Sequence, residues 1–305
     1  MSDLNLEVDL GPFSLKNPVL TASGTFGYGK EVKDYMDPDL LGAITVKGLT
    51  VEPTRGNDTP RIVETASGML NSIGLENPGL EEFIEQKIEV IGEFSTPVLV
   101  NISGHSVEDF SVLAGRLAPY DEIAGLEVNV SCPNIEGGGM AFGTNCDLVY
   151  QITEEVKSKY EGPVIVKLSP NVTDIVEMAE AARAGGADCI SLINTLLGMA
   201  IDVDSQAPVL GNTMGGLSGP AIKPVALRMI YQVAAVVDLP IIGMGGIMNG
   251  EDALEFIMAG ASAVAIGTAT LVNPDASINV LQEIKQYCRE NNIDDINQLV
   301  GIAHR

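Results

Sequence analysis

The chain predicts an α/β fold, a (β/α)8 barrel of the TIM type with an N-terminal β-hairpin and long loops at its carboxyl face. Three observations carry this. Eight short, nearly continuous apolar runs fall at 19–23, 43–47, 98–102, 126–130, 164–168, 189–194, 241–244 and 263–266, the pattern of parallel strands covered on both faces. Amphipathic stretches stand between them at 80–91, 107–117, 146–160, 174–184, 221–236, 252–259 and 276–290, and eight such alternating units argue for closure into a barrel. Finally, nothing in the 305 residues reads as a linker, a low-complexity segment or a charge run, so residues 1–305 are expected to form one domain of the size barrels reach.

In order, residues 4–17 read as two short alternating strands joined at Gly11-Pro12, a hairpin expected to plug one end of the barrel. The first barrel strand runs into a glycine-rich turn, GTFGYGK at 24–30, with a short helix expected over 31–36. Two connections are longer than the rest, 48–79 and 195–220. Both leave carboxyl ends of strands, the catalytic face of a barrel, where long loops form lids or binding walls.

The fourth strand leads into the most distinctive stretch, LEVNVSCPNIEGGGMAFGTN at 126–145. It delivers Asn129, Ser131, Cys132 and Asn134 where the strand runs out. Pro133 cannot donate to a ladder, and three consecutive glycines at 137–139 free the backbone of a loop, 133–144, that is expected to act as a lid. A lone cysteine is ordinarily a small core residue; its place at a strand tip between two asparagines favours chemistry.

Composition narrows the function. A formal net charge of −24 argues against nucleic acid and anionic membranes as partners, and an anionic substrate then needs local basic groups. The four cysteines, Cys132, Cys146, Cys189 and Cys288, form no CxxC pair, so neither a zinc site nor a disulfide framework is indicated and a reducing cytoplasm is expected. No basic segment followed by an apolar run opens the chain, and no run of about 18 apolar residues occurs.

Lysine is seldom buried, yet Lys47 and Lys167 each end an apolar strand. Both are placed either at solvent or on an anionic substrate and a cofactor that gains charge. Asparagines recur at the same tips (Asn101, Asn129, Asn134, Asn194), with Asn71 and Asn77 in the long second loop. Amides offer donor and acceptor together and so can read a flat heterocycle; any one of them also suits a turn. At the last two strands, GMGGIMNGEDA and AIGTAT put glycine just before a helix, the usual barrel site for a phosphate. Gly245, Gly246, Gly267 and Thr268 are its expected contacts. GTFGYGK meets part of a P-loop, but Glu31 stands where Ser or Thr should hold magnesium. There is no GxGxxG, and His105 and His304 assemble no metal site or triad.

Taken together, TVKGLT at 45–50, NSIGLENPG at 71–79, VNISG at 100–104, NVSCPN at 129–134, VKLSP at 166–170, INT at 193–195, GLSGP at 216–220, GMGGI at 243–247 and AIGTA at 265–269 make the chain resemble the class 1 dihydroorotate dehydrogenases. It is most similar to the class 1B catalytic subunit, through Ile73 and Pro78 and the lack of an N-terminal membrane-binding extension. The resemblance implies an FMN enzyme that oxidises dihydroorotate to orotate in pyrimidine synthesis, with Cys132 as the base. It implies Lys47, Asn71, Ser72, Ile73, Gly74, Leu75, Asn129, Asn134, Asn194 and Thr195 at the substrate. At FMN it implies Ser23, Lys47, Gly48, Asn101, Asn129, Lys167, Ile193, Gly219 and the two glycine turns. The chain itself has no NAD fingerprint and no cluster spacing, so the resemblance further implies a homodimer joined to a subunit carrying FAD and [2Fe–2S], a heterotetramer. The alternatives are a fumarate-dependent class 1A enzyme, an FMN-free isomerase or aldolase using Lys47 or Lys167 as a Schiff base, and a non-catalytic binding barrel.

Overall fold

Eight parallel strands form a ring: Val19–Thr21, Ile44–Leu49, Val98–Ile102, Gly125–Asn129, Val164–Lys167, Cys189–Leu192, Ile241–Met244 and Ala263–Ile266. The computed structural model describes residues 4–29, 32, 35–131, 133–134 and 140–304. From the second strand onward each pairs with its neighbour in sequence, and the last pairs with the first. The ring closes between the first two strands, where Leu20 bridges Ala43 and the Thr45 amide donates to Thr21 Oγ1 at 2.9 Å. β-branched residues dominate these runs because their stiff side chains pack well on a pleated surface buried on both sides. Every residue of Val98–Ile102 is buried.

The expected hairpin is present, with Val8–Asp9 antiparallel to Ser14–Leu15. Gly11 turns it with φ +90° and lies against the Asp188 carbonyl, just ahead of the sixth strand. Its Leu10 and Leu15 are fully buried, so it closes the amino end of the ring.

Four helices, Val107–Leu117, Cys146–Lys159, Ile175–Ala184 and Gly250–Met258, begin where side chains cap them: Ser106, Asn145, Asp174 and Asn249 accept from the amides of Asp109, Leu148, Val176 and Asp252. Lys223–Ala234 and Ala276–Glu290 begin without a side-chain cap. The helix expected over 80–91 divides into Leu80–Gln86 and Ile88–Ile91 at Lys87, whose φ of −107° departs from helical geometry. The helix expected over 31–36 falls largely outside the described residues.

The two long connections hold more order than loops. Ile62–Thr65 and Gly68–Asn71 form a hairpin, and Gly215–Ser218 pairs with the second of these and with Leu196–Gly198. Excursions from the second and sixth strands thus share one four-stranded antiparallel sheet, a crown at the carboxyl end of the ring. No helix among the described residues is long and apolar enough to cross a membrane.

Candidate active site

A cavity of about 300 Å³ opens between ring and crown. Strand tips supply its lower walls: Ala22 to Thr25, Lys167, Ile193 to Thr195, Met244 to Met248, and Ala265 with Gly267 and Thr268. The crown supplies Ile62, Met69, Asn71, Ile73, Ser218 and Gly219. Mostly apolar walls with a few convergent polar groups are the make-up of a small-molecule site.

Its polar floor is a network that crosses the ring. Lys167 Nζ, from the end of the fifth strand, donates to Ser23 Oγ on the opposite side at 3.0 Å and lies 3.4 Å from Glu127 Oε2. Glu127 also accepts from Asn101 Nδ2 at 2.6 Å and from Ser191 Oγ at 2.9 Å. Lysine and glutamate are 4% and 2% exposed. Two charges taken out of water survive only with such pairing, and deleting one partner of a buried pair costs about 3–5 kcal/mol. Period two places Asn129 on the same strand face as Glu127. Asn129 Oδ1 accepts from Asn194 Nδ2 at 3.2 Å, and its Nδ2 donates to Ser103 Oγ at 3.1 Å. Of the amides predicted at strand tips, Asn129 and Asn194 are therefore bonded to each other, and Asn101 to Glu127.

Of the residues singled out in the sequence, Ser23, Asn71, Ile73, Lys167, Ile193, Asn194, Thr195, Gly219, Gly245, Gly246, Gly267 and Thr268 line the cavity. Asn101 and Asn129 stand behind it in the network. Gly48 is close to the first of these, since a Cβ there would lie 2.9 Å from Asn101 Oδ1. Lys47, Ser72, Gly74 and Leu75 are not part of its wall. Lys47 is half-buried and its amide bonds the Gly27 carbonyl; Gly74, with φ +73°, packs on Gly56 and Asn57. Asn134 pairs with Met140 in a two-residue ladder. Cys132 and residues 135–139 of the expected lid lie outside the described residues.

The other three cysteines do not compete for a base's role. Burial pushes the Cys146, Cys189 and Cys288 thiols up, with acidic neighbours Glu177 and Asp147 adding to the rise at Cys146. A raised pKa keeps the inert thiol form.

One detail of the expected phosphate cradle is corrected. The start of helix Gly250–Met258 is already occupied: Asn249 caps it, the Gly250 amide donates to Glu283, and the Met248 amide donates to Asp252. At the seventh strand the turn at Gly245 and Gly246, both with positive φ, lines the cavity instead. At the eighth strand Gly267 and Thr268 do precede a short helix, Ala269–Val272. The resemblance of 24–30 to a P-loop dissolves too, because Gly29 is required by packing: a Cβ there would sit 2.5 Å from the Phe94 ring.

Sequence reasoning missed Glu127, Ser103 and Ser191 in the network, and Met69, Ser218 and Met248 in the wall. Glu127 had a readable signal, a carboxylate in step with Asn129 inside an apolar strand. Met69 had none, since it reaches the cavity only through the crown.

A cradle with a buried lysine, glycine turns and amides at strand tips can hold a flat, phosphate-bearing ring and an anionic partner. The family model for dihydroorotate dehydrogenase matches residues 5–288. Among curated relatives, the dihydroorotate dehydrogenase B (NAD(+)) catalytic subunit of Desulforamulus reducens is 58% identical over 301 residues, 99% of each chain. That of Alkaliphilus metalliredigens is 55% identical, again over 99% of each. Among solved structures, the crystal structure of DHODH from Eimeria tenella in complex with ferulenol superposes with a TM-score of 0.84, covering 99% of this chain and 89% of that one. At 23% identity it speaks to the fold alone. The family match over nearly the whole length and the full-length relatives at more than half identity agree: the chain belongs to the dihydroorotate dehydrogenase family.

Proposed function

We infer that this chain is the FMN-containing catalytic subunit of an NAD-linked, class 1B dihydroorotate dehydrogenase, acting in pyrimidine synthesis. The observation that carries the reading is the buried Lys167 ammonium on the cavity floor, held between Ser23 and Glu127. A fixed cation facing a largely apolar slot suits a cofactor that becomes negative on reduction. The glycine turns, both on the cavity wall, suit a phosphate held by backbone amides. When bound, FMN would supply the two-electron acceptor for the hydride leaving C6 of dihydroorotate.

The chain's own residues do the rest. Cys132 takes the proton from C5, and as a thiolate it is the competent form of that base. Asn71, Asn129, Asn134, Asn194 and Thr195 read the ring edge of the substrate, Lys47 meets its carboxylate, and residues 72–75 close around it. Ser23, Gly48, Asn101, Lys167, Ile193, Gly219 and the two glycine turns hold FMN, and the loop 133–144 excludes water. Residues 1–305 serve as one FMN-binding domain of a cytoplasmic homodimer. The relatives' designation as catalytic subunits supports a second polypeptide, carrying FAD and [2Fe–2S], in a heterotetramer.

Purified chain is expected to be yellow, to release FMN on denaturation and to convert dihydroorotate to orotate with a dye as acceptor. NAD reduction is expected only after the second subunit is added. Colourless protein trapped by borohydride with a keto substrate would replace this reading with a Schiff-base barrel; fumarate used as fast as dye would replace class 1B with class 1A.

A further inference from the structure

The chemistry above leaves one buried carboxylate without a task. Glu127 takes hydrogen bonds from three other strands: Asn101 on the third, Lys167 on the fifth and Ser191 on the sixth. It does not line the cavity, whereas Lys167 does. Register explains the difference. Glu127 pairs with Ile165, and Lys167 pairs with Asn129, so the lysine stands nearer the carboxyl end of the ring and the glutamate lies beneath it. Whatever Glu127 does to a ligand, it does through Lys167.

Two physical consequences follow from that stacking. A buried ammonium with no counter-ion seeks water; the carboxylate at 3.4 Å holds it in place beneath the cavity. The same carboxylate offsets part of its field. An unpaired ammonium would favour reduced, anionic flavin so strongly that the electrons would be held rather than passed on, and a paired one favours it less.

We propose that Glu127 is a positioning residue that fixes Lys167 at the cavity floor and limits how much positive charge reaches the flavin, keeping the bound cofactor reducing enough to serve a low-potential acceptor. This rests on the FMN reading given above. Three donors converge on the carboxylate, and a glutamine can satisfy them if the Ser191 hydroxyl turns to accept, so E127Q removes charge with little change of shape.

The test is a redox titration of the FMN bound to the wild type, E127Q, E127D and the same E127Q change in a K167M background. E127Q is expected to raise the midpoint potential, with the preference for reduced over oxidised FMN increasing on the order of tenfold, about 30 mV for a two-electron couple. E127D, which keeps the charge but draws it back from the ammonium, should shift it the same way by less. In the K167M background the E127Q shift should shrink by more than half. An E127Q potential equal to or below wild type overturns the proposal, as does a shift of full size without Lys167. If E127Q does not fold, E127D decides alone, and a wild-type potential in that variant refutes it. Wild-type protein that binds no FMN would instead defeat the flavin reading, which separates the two failures.

Discussion

The ring and the crown are both sheets, yet they are assembled in opposite ways. In the ring the strands lie beside their sequence neighbours and are buried along nearly their whole length, as in Cys189–Leu192 and Ala263–Ile266. In the crown, Asn71 meets Gly216 across 145 residues of chain, and apart from Leu70, Gly215 and Ser218 the strand residues are half-buried or exposed. The ring therefore carries the apolar burial that sustains the fold and presents polar tips at fixed positions. The crown adds little burial and supplies the upper wall of the cavity. Damage to the first should register as lost stability, and damage to the second as lost ligand binding.

The largest effect is expected at Cys132, where the sequence leaves the fourth strand. Cys132→Ala should lower turnover by about 100- to 10,000-fold, the usual worth of a general base, while FMN stays bound and the melting temperature holds. Near-normal turnover at neutral pH would remove this residue from the mechanism.

Next comes the scaffold. Phe256 is fully buried in helix Gly250–Met258 and packs over Gly243 of the seventh strand. Phe256→Ala should cost about 3–5 kcal/mol in denaturant unfolding, with activity per folded molecule preserved. A loss of FMN affinity without a loss of stability would break the division between the two regions.

The matching change in the crown is Gly68→Ala. Its new methyl would run into the Ser218 carbonyl and part the strands that carry Met69 and Ser218 to the cavity. FMN or substrate affinity should fall roughly tenfold, about 1.4 kcal/mol, and unfolding should shift far less than in Phe256→Ala. Equal destabilisation by both variants would show that the crown is part of the folding core.

The narrowest effect, absent at neutral pH, is a pH dependence confined to the scaffold. Burial pushes the Tyr160 hydroxyl up to about 12, and it donates to the Ile123 carbonyl at 3.3 Å. The folded state then holds a proton that the unfolded chain releases near pH 10, so this contribution is intact below pH 10 and lost as pH rises towards 12. Its upper limit is about 3 kcal/mol. Tyr160→Phe should flatten the stability curve in that window, and an unchanged slope would remove Tyr160 as its source.

Legibility in the sequence follows the same division. Strands 241–244 and 263–266 and helices 107–117 and 276–290 were readable to the residue, because hydrophobic period and turn chemistry are local properties. The strand expected over 189–194 ends at Leu192; beyond it the amides of Ile193 and Asn194 bond the carbonyls of Met244, which ends the seventh strand, and Leu168, just past the fifth. That choice depends on where both neighbours end. Asn194 was legible as a polar group at a carboxyl tip and Asn71 as one in the long second loop; Ser191, small and set within CISL, gave no sign that it faces a carboxylate two strands away.

By itself, then, the sequence determined that apolar runs alternate with amphipathic helices eight times, and that lysine, amide and glycine collect at the ends of those runs. Both are consequences of covalent order. Only the tertiary structure decided that excursions from the second and sixth strands join as one sheet, and that Lys167 shares a buried network with Ser23, Asn101, Glu127 and Ser191. The physical reason is that such pairings are chosen by desolvation and closure of the ring, which bring together groups that no local periodicity relates.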